Sequence, residues 1–447
     1  MTSSSPASPS ASRPASPEPA EPPAQILPPP PVSVTPSAAA ASRSLGAKAD
    51  KDTVRRHNLS LVLRAVHDEG EITRAQVAAR VGLTRAAVSS LVEQLLEGGF
   101  LAESGKTFSG QAGRPGTVLQ VARTGAAGLG IEINIDYVTV CAVDLGGSDR
   151  VRLTEHLDNR GTPPADVFRR VARIAARATE SAAEQQLRLV GVQLALPGLV
   201  SGGTVRHAPN LGWSRVAVEG LFAQALAALR PDLGPLPVSA DNEANLAALA
   251  ELWFGGHRAD RSFLYLSGEV GVGGALVLGG QLLHGAHGFA GEIGHAVAHA
   301  DGPTCRCGAR GCLEQYAGQL ALLRNAGLDE NAGVPGVAEL ERRAAAGDEP
   351  ALAALRTAGE KLGLVLSGAV NLIDPEAVVL GGIYRGLAPW LLPAVDRELS
   401  QRVVSGLWAA GSPRLRASSL SGDAARGAAA LVVRAVLADP AGYPAPR

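Results

Sequence analysis

The chain has 447 residues, a formal charge of -1 and 46% hydrophobic residues, with aromatics only 4% of the total. That length exceeds what one hydrophobic core supports and calls for two or three domains, while the near-neutral charge excludes a protein coated in nucleic acid and leaves room for a local basic face. The amino terminus, MTSSSPASPSASRP, has no apolar signal core, and no run of about 18 apolar residues occurs, so neither export nor membrane spanning is expected and the chain reads as cytoplasmic.

Residues 1–50 are dominated by Pro, Ser and Ala and include LPPPP. They cannot bury enough apolar surface to offset the entropy of ordering, and a disordered tail is expected. From residue 51 the pattern becomes helical, with Leu59, Val62, Leu63 and Val66 marking one buried face.

The stretch EITRAQVAARVGLTRAAVSSLVEQLLEGGFL carries two helix starts in succession. Thr73 and Gln76 have capping-box spacing, with Ile72 and Val77 placed as the hydrophobic staple, and Leu83, Thr84 and Val88 repeat the arrangement. Arg80, Val81 and Gly82 leave room only for a tight turn, as a helix-turn-helix requires. The second helix buries Val88, Leu91, Val92 and Leu95 and ends at Gly98 and Gly99. Its free face presents Thr84, Arg85, Ala86, Ser89 and Ser90, small and polar residues with one long cation, which suits close approach to base edges in a major groove. SGKTFSGQAGRPGTVLQV then reads as two short strands joined by a Gly-rich loop, a wing carrying Lys106 and Arg114. Residues 51–125 hold ten Lys and Arg against seven Asp and Glu, a net of +3 unlike the chain as a whole. A winged helix-turn-helix that binds double-stranded DNA is therefore expected over residues 51–124, rather than a plain helical oligomerisation domain.

From Gly128, apolar strands such as GLGIEI, VTVCAV, LVGVQLAL, SFLYLS and GGALVL alternate with long Ala- and Leu-rich helices. This predicts an α/β domain over residues 125–447, built in two lobes with a ligand cleft between them. Cys141 lies in one of the strands and reads as core. The other three of the four cysteines form Cys305-x-Cys307-x4-Cys312, with Gly308 and Gly311 allowing the backbone to fold around a centre. In a reducing compartment such a cluster is better explained by a structural zinc ion, one per chain, than by disulfides. Zinc takes a fourth ligand; His295, in GEIGH, is the leading candidate, with His287 and His299 as rivals on spacing alone.

GEIGHAVAHADGPTCRCGARGCLEQYAG closely resembles the metal segment of the ROK family (repressors, open reading frames and sugar kinases), and LALPGLV, APNLGW, DNEANLAALAE, GVGGALVLGGQLLHG and DPEAVVLGG extend the resemblance from about residue 125 to the end. It implies the actin-like, ribonuclease H-like two-lobed fold, with His295 acting both as zinc ligand and as a contact to a sugar hydroxyl. It also implies sugar contacts from Asn242 and Glu243, from the GEIGH glutamate Glu292, and from Glu314 after the last cysteine. Carboxyl and amide groups suit vicinal diols, since they accept and donate in pairs. Asp241 is expected to cap the helix that holds Asn242 and Glu243 at the cleft.

Kinases of this family carry Asp-x-Gly-Gly-Thr after the first strand, where backbone amides approach a polyphosphate. Here Glu132, Ile133, Asn134, Ile135 and Asp136 stand in those places, and Asp136 is expected to add negative charge where phosphate oxygens would sit. Val270 replaces a threonine in the second phosphate segment, and Glu243 replaces the aspartate base. The resemblance is thus to the sugar-responsive regulators of the family, of the xylose-repressor type, with phosphoryl transfer lost. A homodimer or homotetramer on an inverted-repeat operator, answering to a small-molecule sugar, is the expected arrangement. The alternatives are an active or bifunctional ATP-dependent sugar kinase, and a regulator controlled by a protein partner.

Overall fold

The computed structural model describes residues 51–107, 116–257, 259–404, 408–421 and 423–443. The amino-terminal 50 residues, read as a tail, and the wing tip with Arg114 lie outside them. Helix α1 (Lys51–Glu69) is followed by the short strand β1 (Ile72–Thr73), α2 (Arg74–Val81), α3 (Arg85–Glu97), β2 (Leu101–Thr107) and β3 (Gly116–Val121). The capping box forms: Gln76 N donates to Thr73 Oγ1 at 3.4 Å, and Thr73 N donates to Gln76 Oε1 at 2.9 Å. Gly82 takes the left-handed conformation that ends α2, and Thr84 Oγ1 accepts from Ala87 N at 3.3 Å to start α3. Strand β1 adds to the wing sheet beside β3, a pairing the sequence does not announce because two residues are too few to show alternation.

The first lobe runs β4 (Gly125–Ile133), β5 (Tyr137–Asp144), β6 (Asp149–His156), α4 (Pro164–Glu184) and β7 (Leu187–Leu196). A small meander follows, β8 (Leu199–Ser201), β9 (Thr204–Ala208) and β10 (Trp213–Ala217), then α5 (Val218–Leu229), β11 (Val238–Asn242) and α6 (Glu243–Phe254). The second lobe holds β12 (Phe263–Gly268), β13 (Val272–Leu278), β14 (Gln281–Leu282), α7 (Glu314–Ala317), α8 (Gln319–Asn325) and α9 (Gly333–Ala345). It finishes with α10 (Glu349–Ile373), β15 (Ala377–Gly382), α11 (Tyr384–Arg402), β16 (Leu415–Ala417) and α12 (Asp423–Ala438).

The two large sheets share one plan. Their orders are β11-β7-β4-β5-β6 and β14-β13-β12-β15-β16; β4 is antiparallel to β5 and parallel to β7, as β12 is to β13 and β15. This duplication is the actin-like arrangement. Helices α4 and α5 bury Val167, Phe168, Val171 and Phe222 on the outer face of the first sheet, and α10 and α11 bury Leu355, Leu362, Leu387 and Leu391 on that of the second. Helix α6 lies against the inner face of the second sheet through Leu246, Ala247 and Leu249. Helix α12 lies against the first, with Ala425, Ala429 and Val433 beside Cys141 and Val143. Cys141 is core, and burial pushes its thiol up to about 12.

Helix α12 has a second contact. Its far end joins the apolar cluster of α1 (Leu59, Leu63) through Val433, Val436 and Leu437, and Ser60 Oγ donates to Leu437 O at 2.9 Å. Arg56 Nε reaches Asp439 Oδ1 at 3.1 Å just beyond it. One helix therefore packs on the sheet of the first lobe and on the helix-turn-helix. Among the described residues no helix is long and apolar enough to cross a membrane.

Candidate functional site

The segment between β14 and α7 folds back on itself through backbone bonds Ala298 N to Gly311 O (2.8 Å), Gly311 N to Pro303 O (2.9 Å) and Cys305 N to Ala309 O (2.8 Å). This brings the ligand atoms of His295, Cys305, Cys307 and Cys312 within 4.8 Å of one another. Cys305 Sγ lies 3.8 Å from His295 Nδ1, and Cys307 Sγ lies 3.7 Å from Cys312 Sγ. A tetrahedral centre with metal–sulfur bonds of about 2.3 Å has edges of about 3.8 Å, so the set fits a metal ion at its middle. His287 and His299, equal to His295 on spacing, are not in the cluster. Burial, with the neighbouring thiols, pushes Cys312 up to about 12, and burial raises Cys305 as well.

This centre forms one wall of the cleft. Asn242, Glu243, Glu292, His295 and Glu314, the five residues placed by resemblance, all line one cleft. Glu292 Oε2 lies 3.9 Å from His295 Nε2, the nitrogen turned away from the cysteines. The expected helix cap needs correction. Strand β11 continues through Asn242, which keeps an extended backbone (φ -64°, ψ 141°), so the helix starts one residue later and Asn242 is its cap. Its Oδ1 accepts from Ala244 N (2.8 Å) and Asn245 N (3.4 Å), and its Nδ2 donates to Gly198 O (2.9 Å). Asp241 instead accepts from Asn245 Nδ2 at 2.9 Å and faces His284 Nε2 at 3.3 Å.

Asn134, Asn210, Glu269 and Arg306 line the cleft as well. Arg306 Nη1 donates to Asn210 Oδ1 at 2.9 Å, tying the metal loop to the meander of the first lobe. The sequence held signals for both, an Asn following Pro in APNLGW and an Arg between two cysteine ligands. The glycines of EVGVGG serve packing: a Cβ at Gly271 would run into the Glu314 carboxyl, and one at Gly274 would lie 2.5 Å from Ile293 Cγ2.

The turn after β4 is closed by side chains. Asn134 Nδ2 donates to Tyr137 Oη (3.1 Å) and Glu269 Oε2 (3.3 Å), its Oδ1 accepts from Ile135 N (2.6 Å), and the Tyr137 hydroxyl donates to Glu132. Ile135 and Val270 are buried in the first lobe's core. Asp136 does not supply the expected charge; its carboxyl points at Gly333, where α9 begins, and it lines neither this cleft nor the chamber beside it. The turn directs Asn134 inward and Asp136 away, and the acidity comes instead from Glu132, Glu243 and Glu269, which line that second chamber together.

Burial, and then the charge of Glu132, pushes the Glu243 carboxyl up to about 8. The folded chain thus holds a proton there that the unfolded chain releases from about pH 4.5, so this group's contribution to stability is present below its ordinary value and is lost as pH rises toward 8. A Glu243→Gln variant is expected to gain on the parent chain by a few kcal/mol at pH ~8 and by little at pH ~5. Urea unfolding at the two values checks this; an equal difference at both contradicts it.

On the helix-turn-helix, Thr84, Arg85, Ala86, Ser89 and Ser90 are all exposed along one side of α3. The neighbouring Glu93 is paired with Arg74 at 3.0 Å, which also holds Glu103 at 2.8 Å. Lys106 lies on β2 opposite Thr117, and Arg114 falls outside the described residues.

A duplicated actin-like fold with a centre of one histidine and three cysteines beside its cleft, preceded by a winged helix-turn-helix, defines a two-part class of protein. The chain belongs to the ROK family, whose profile matches residues 128–435, and a winged helix-turn-helix DNA-binding profile matches residues 55–101. It is 29% identical over 360 residues to the xylose repressor of Caldicellulosiruptor bescii, covering 77% of this chain and 88% of that one. A solved ROK family transcriptional regulator, a homologue of the Escherichia coli MLC protein, superposes with a TM-score of 0.70 at 24% identity over 86% of this chain and 97% of its own. A ROK family glucokinase from Streptomyces griseus, solved with glucose and AMPPNP, gives 0.56 at 26% identity, over 68% of this chain and 98% of its own.

Proposed function

We propose that this protein is a sugar-responsive transcriptional repressor in which the kinase scaffold has been kept as a sensor and phosphoryl transfer lost. The observation that carries the reading is Asn134: its amide bridges Tyr137 and Glu269 across the place where backbone amides would have to meet a triphosphate. A glycine pair there leaves space; this network fills it and puts carboxyl groups behind it. The sugar cleft beside it stays open.

Zinc, held by His295, Cys305, Cys307 and Cys312, pins the loop that forms the cleft wall. With Nδ1 committed to that centre, the other ring nitrogen of His295 carries its proton and faces the cleft as a donor. Glu292 and Glu314 accept hydrogen bonds from sugar hydroxyls, the Glu243 carboxyl donates one, and Asn242 holds Glu243 in place by capping its helix. Arg85, with Thr84, Ala86, Ser89 and Ser90, enters a major groove, while Lys106 and Arg114 run along the adjoining backbone. Two copies in a homodimer, or a homotetramer of such pairs, face successive turns of an inverted repeat.

The experiment is footprinting of the chain on its own upstream region with and without a panel of sugars. Protection that one sugar weakens or strengthens is expected, and Arg85→Ala is expected to reduce operator affinity by roughly 1–3 kcal/mol, about ten- to hundredfold. A coupled assay showing ATP-dependent turnover of any of those sugars would overturn the loss of kinase activity. Protection that no sugar alters would favour control by a protein partner.

A further inference from the structure

We propose that the cleft selects a sugar without phosphate, neutral or carrying a protonated amine, and rejects the phosphate esters of the same sugar. The proposal rests on the reading of the cleft as a carbohydrate site and adds the charge of what enters it. Proteins bind phosphate with an uncommitted guanidinium or ammonium, with the free amides of a helix start, or with a glycine-built ring of backbone donors. In this cleft the last two are occupied by protein atoms, and the first is a single guanidinium outnumbered by carboxyls.

The cations come first. Among the described residues no lysine lines the cleft, and its one guanidinium, Arg306, is turned by its bond to Asn210 (2.9 Å) and faces four glutamates across the lining. The helix start comes second. At α6 the amides of Ala244 and Asn245 are taken by the Asn242 side chain, and the helix opens with the acid Glu243. The glycines come third. The space above Gly271 holds the Glu314 carboxyl, Ala244 Cβ sits 3.0 Å from a Cβ at Gly273, and Ile293 covers Gly274, so this run receives protein atoms instead of an anion.

What remains is acidic. Glu243, Glu269, Glu292 and Glu314 line the cleft, and Glu132 joins two of them in the chamber behind. Burial first, and then the charge of the neighbouring Glu132, hold the Glu243 carboxyl up. Arg385, exposed on the wall of the second chamber, shares it with Glu132, Glu243 and Glu269, so that chamber offers an ester no net positive field. A hydroxyl gains from such a wall by donating to it. A phosphate dianion meets more carboxyls than guanidinium groups there and loses its water.

The test is calorimetry on the full zinc-loaded chain with matched pairs: glucose and glucose 6-phosphate, N-acetylglucosamine and its 6-phosphate, xylose and its 5-phosphate, with glucosamine as the amine probe. The expected result is binding by at least one parent sugar, with its ester at least about tenfold weaker, ~1.4 kcal/mol. Glu269→Gln is expected to narrow that gap by strengthening the ester relative to the parent, where a purely structural loss would weaken both alike. Should that variant fail to fold, added salt on the unaltered chain serves: screening raises ester affinity and leaves the parent unchanged. An ester that binds as tightly as its parent, or more so, overturns the charge proposal and leaves the carbohydrate reading standing. Silence from every parent and every ester overturns both.

Discussion

A Cys312→Ser chain is expected to emerge without its metal and to be less stable by about 3 kcal/mol or more. Cys312 is fully buried, and its sulfur is one corner of the tetrahedral set. A serine there offers a weak, reluctantly ionised oxygen at the wrong bond length, and three remaining donors do not close a structural site. For small zinc domains the binding free energy is most of the folding free energy, about 10–16 kcal/mol. The loss here is smaller because the loop also has its own backbone bonds, such as Gly311 N to Pro303 O and Cys305 N to Ala309 O. The consequence reaches the cleft all the same, because Arg306 sits between two ligands and Glu314 follows the third by two residues. Metal content of the purified variant and its urea midpoint check the expectation, and full occupancy with unchanged stability contradicts it. Cys141→Ser is the control: a polar atom placed in the core lowers stability without touching metal content.

The helix-turn-helix was largely legible because its signals are local. A threonine and a glutamine three residues apart, a glycine after the last turn and apolar residues at helical spacing act within one or two turns, and the observed helices begin and end where those residues stand. The cysteine spacing was legible for the same reason, but spacing could not choose among His287, His295 and His299; only the fold back of the chain did that. Asp241 and Asn242 show the limit. Either side chain can cap a helix, and the choice depends on how far β11 stays paired with β7, which no local pattern encodes. Asp136 fails similarly: a one-residue difference in where a turn points decides whether an acid enters a cleft or meets α9. Glu269 was hidden because its importance comes from the other lobe, through Asn134. The double role of α12 was hidden because an apolar helix reads alike whether it covers one neighbour or three.

That double role makes Gly427→Ala the second large effect. Gly427 sits on α12 where the helix crosses α6, and a Cβ added there would penetrate the Leu246 carbonyl oxygen, approach its carbon at 2.8 Å and the Ala250 nitrogen at 3.1 Å. All three are backbone atoms, so no rotamer change relieves the overlap; one helix has to move from the other. Overpacking of this kind costs typically about 1–3 kcal/mol and more when backbone is displaced, and ~3 kcal/mol is expected here. Movement has a direction. Helix α6 starts with Glu243 at the cleft, and α12 runs from Ala424 in the second chamber to Leu437, which accepts from Ser60 of the DNA-binding module. A sugar can change DNA affinity only through an element whose position differs between the bound and free states and which both sites contact. The α6–α12 crossing is such an element, so the variant is expected to lose the effect of sugar on operator binding even under conditions where it remains folded. Operator titrations of Gly427→Ala with and without the effector, below its melting temperature, read this directly. An intact sugar response in a folded variant would place the coupling elsewhere in the chain.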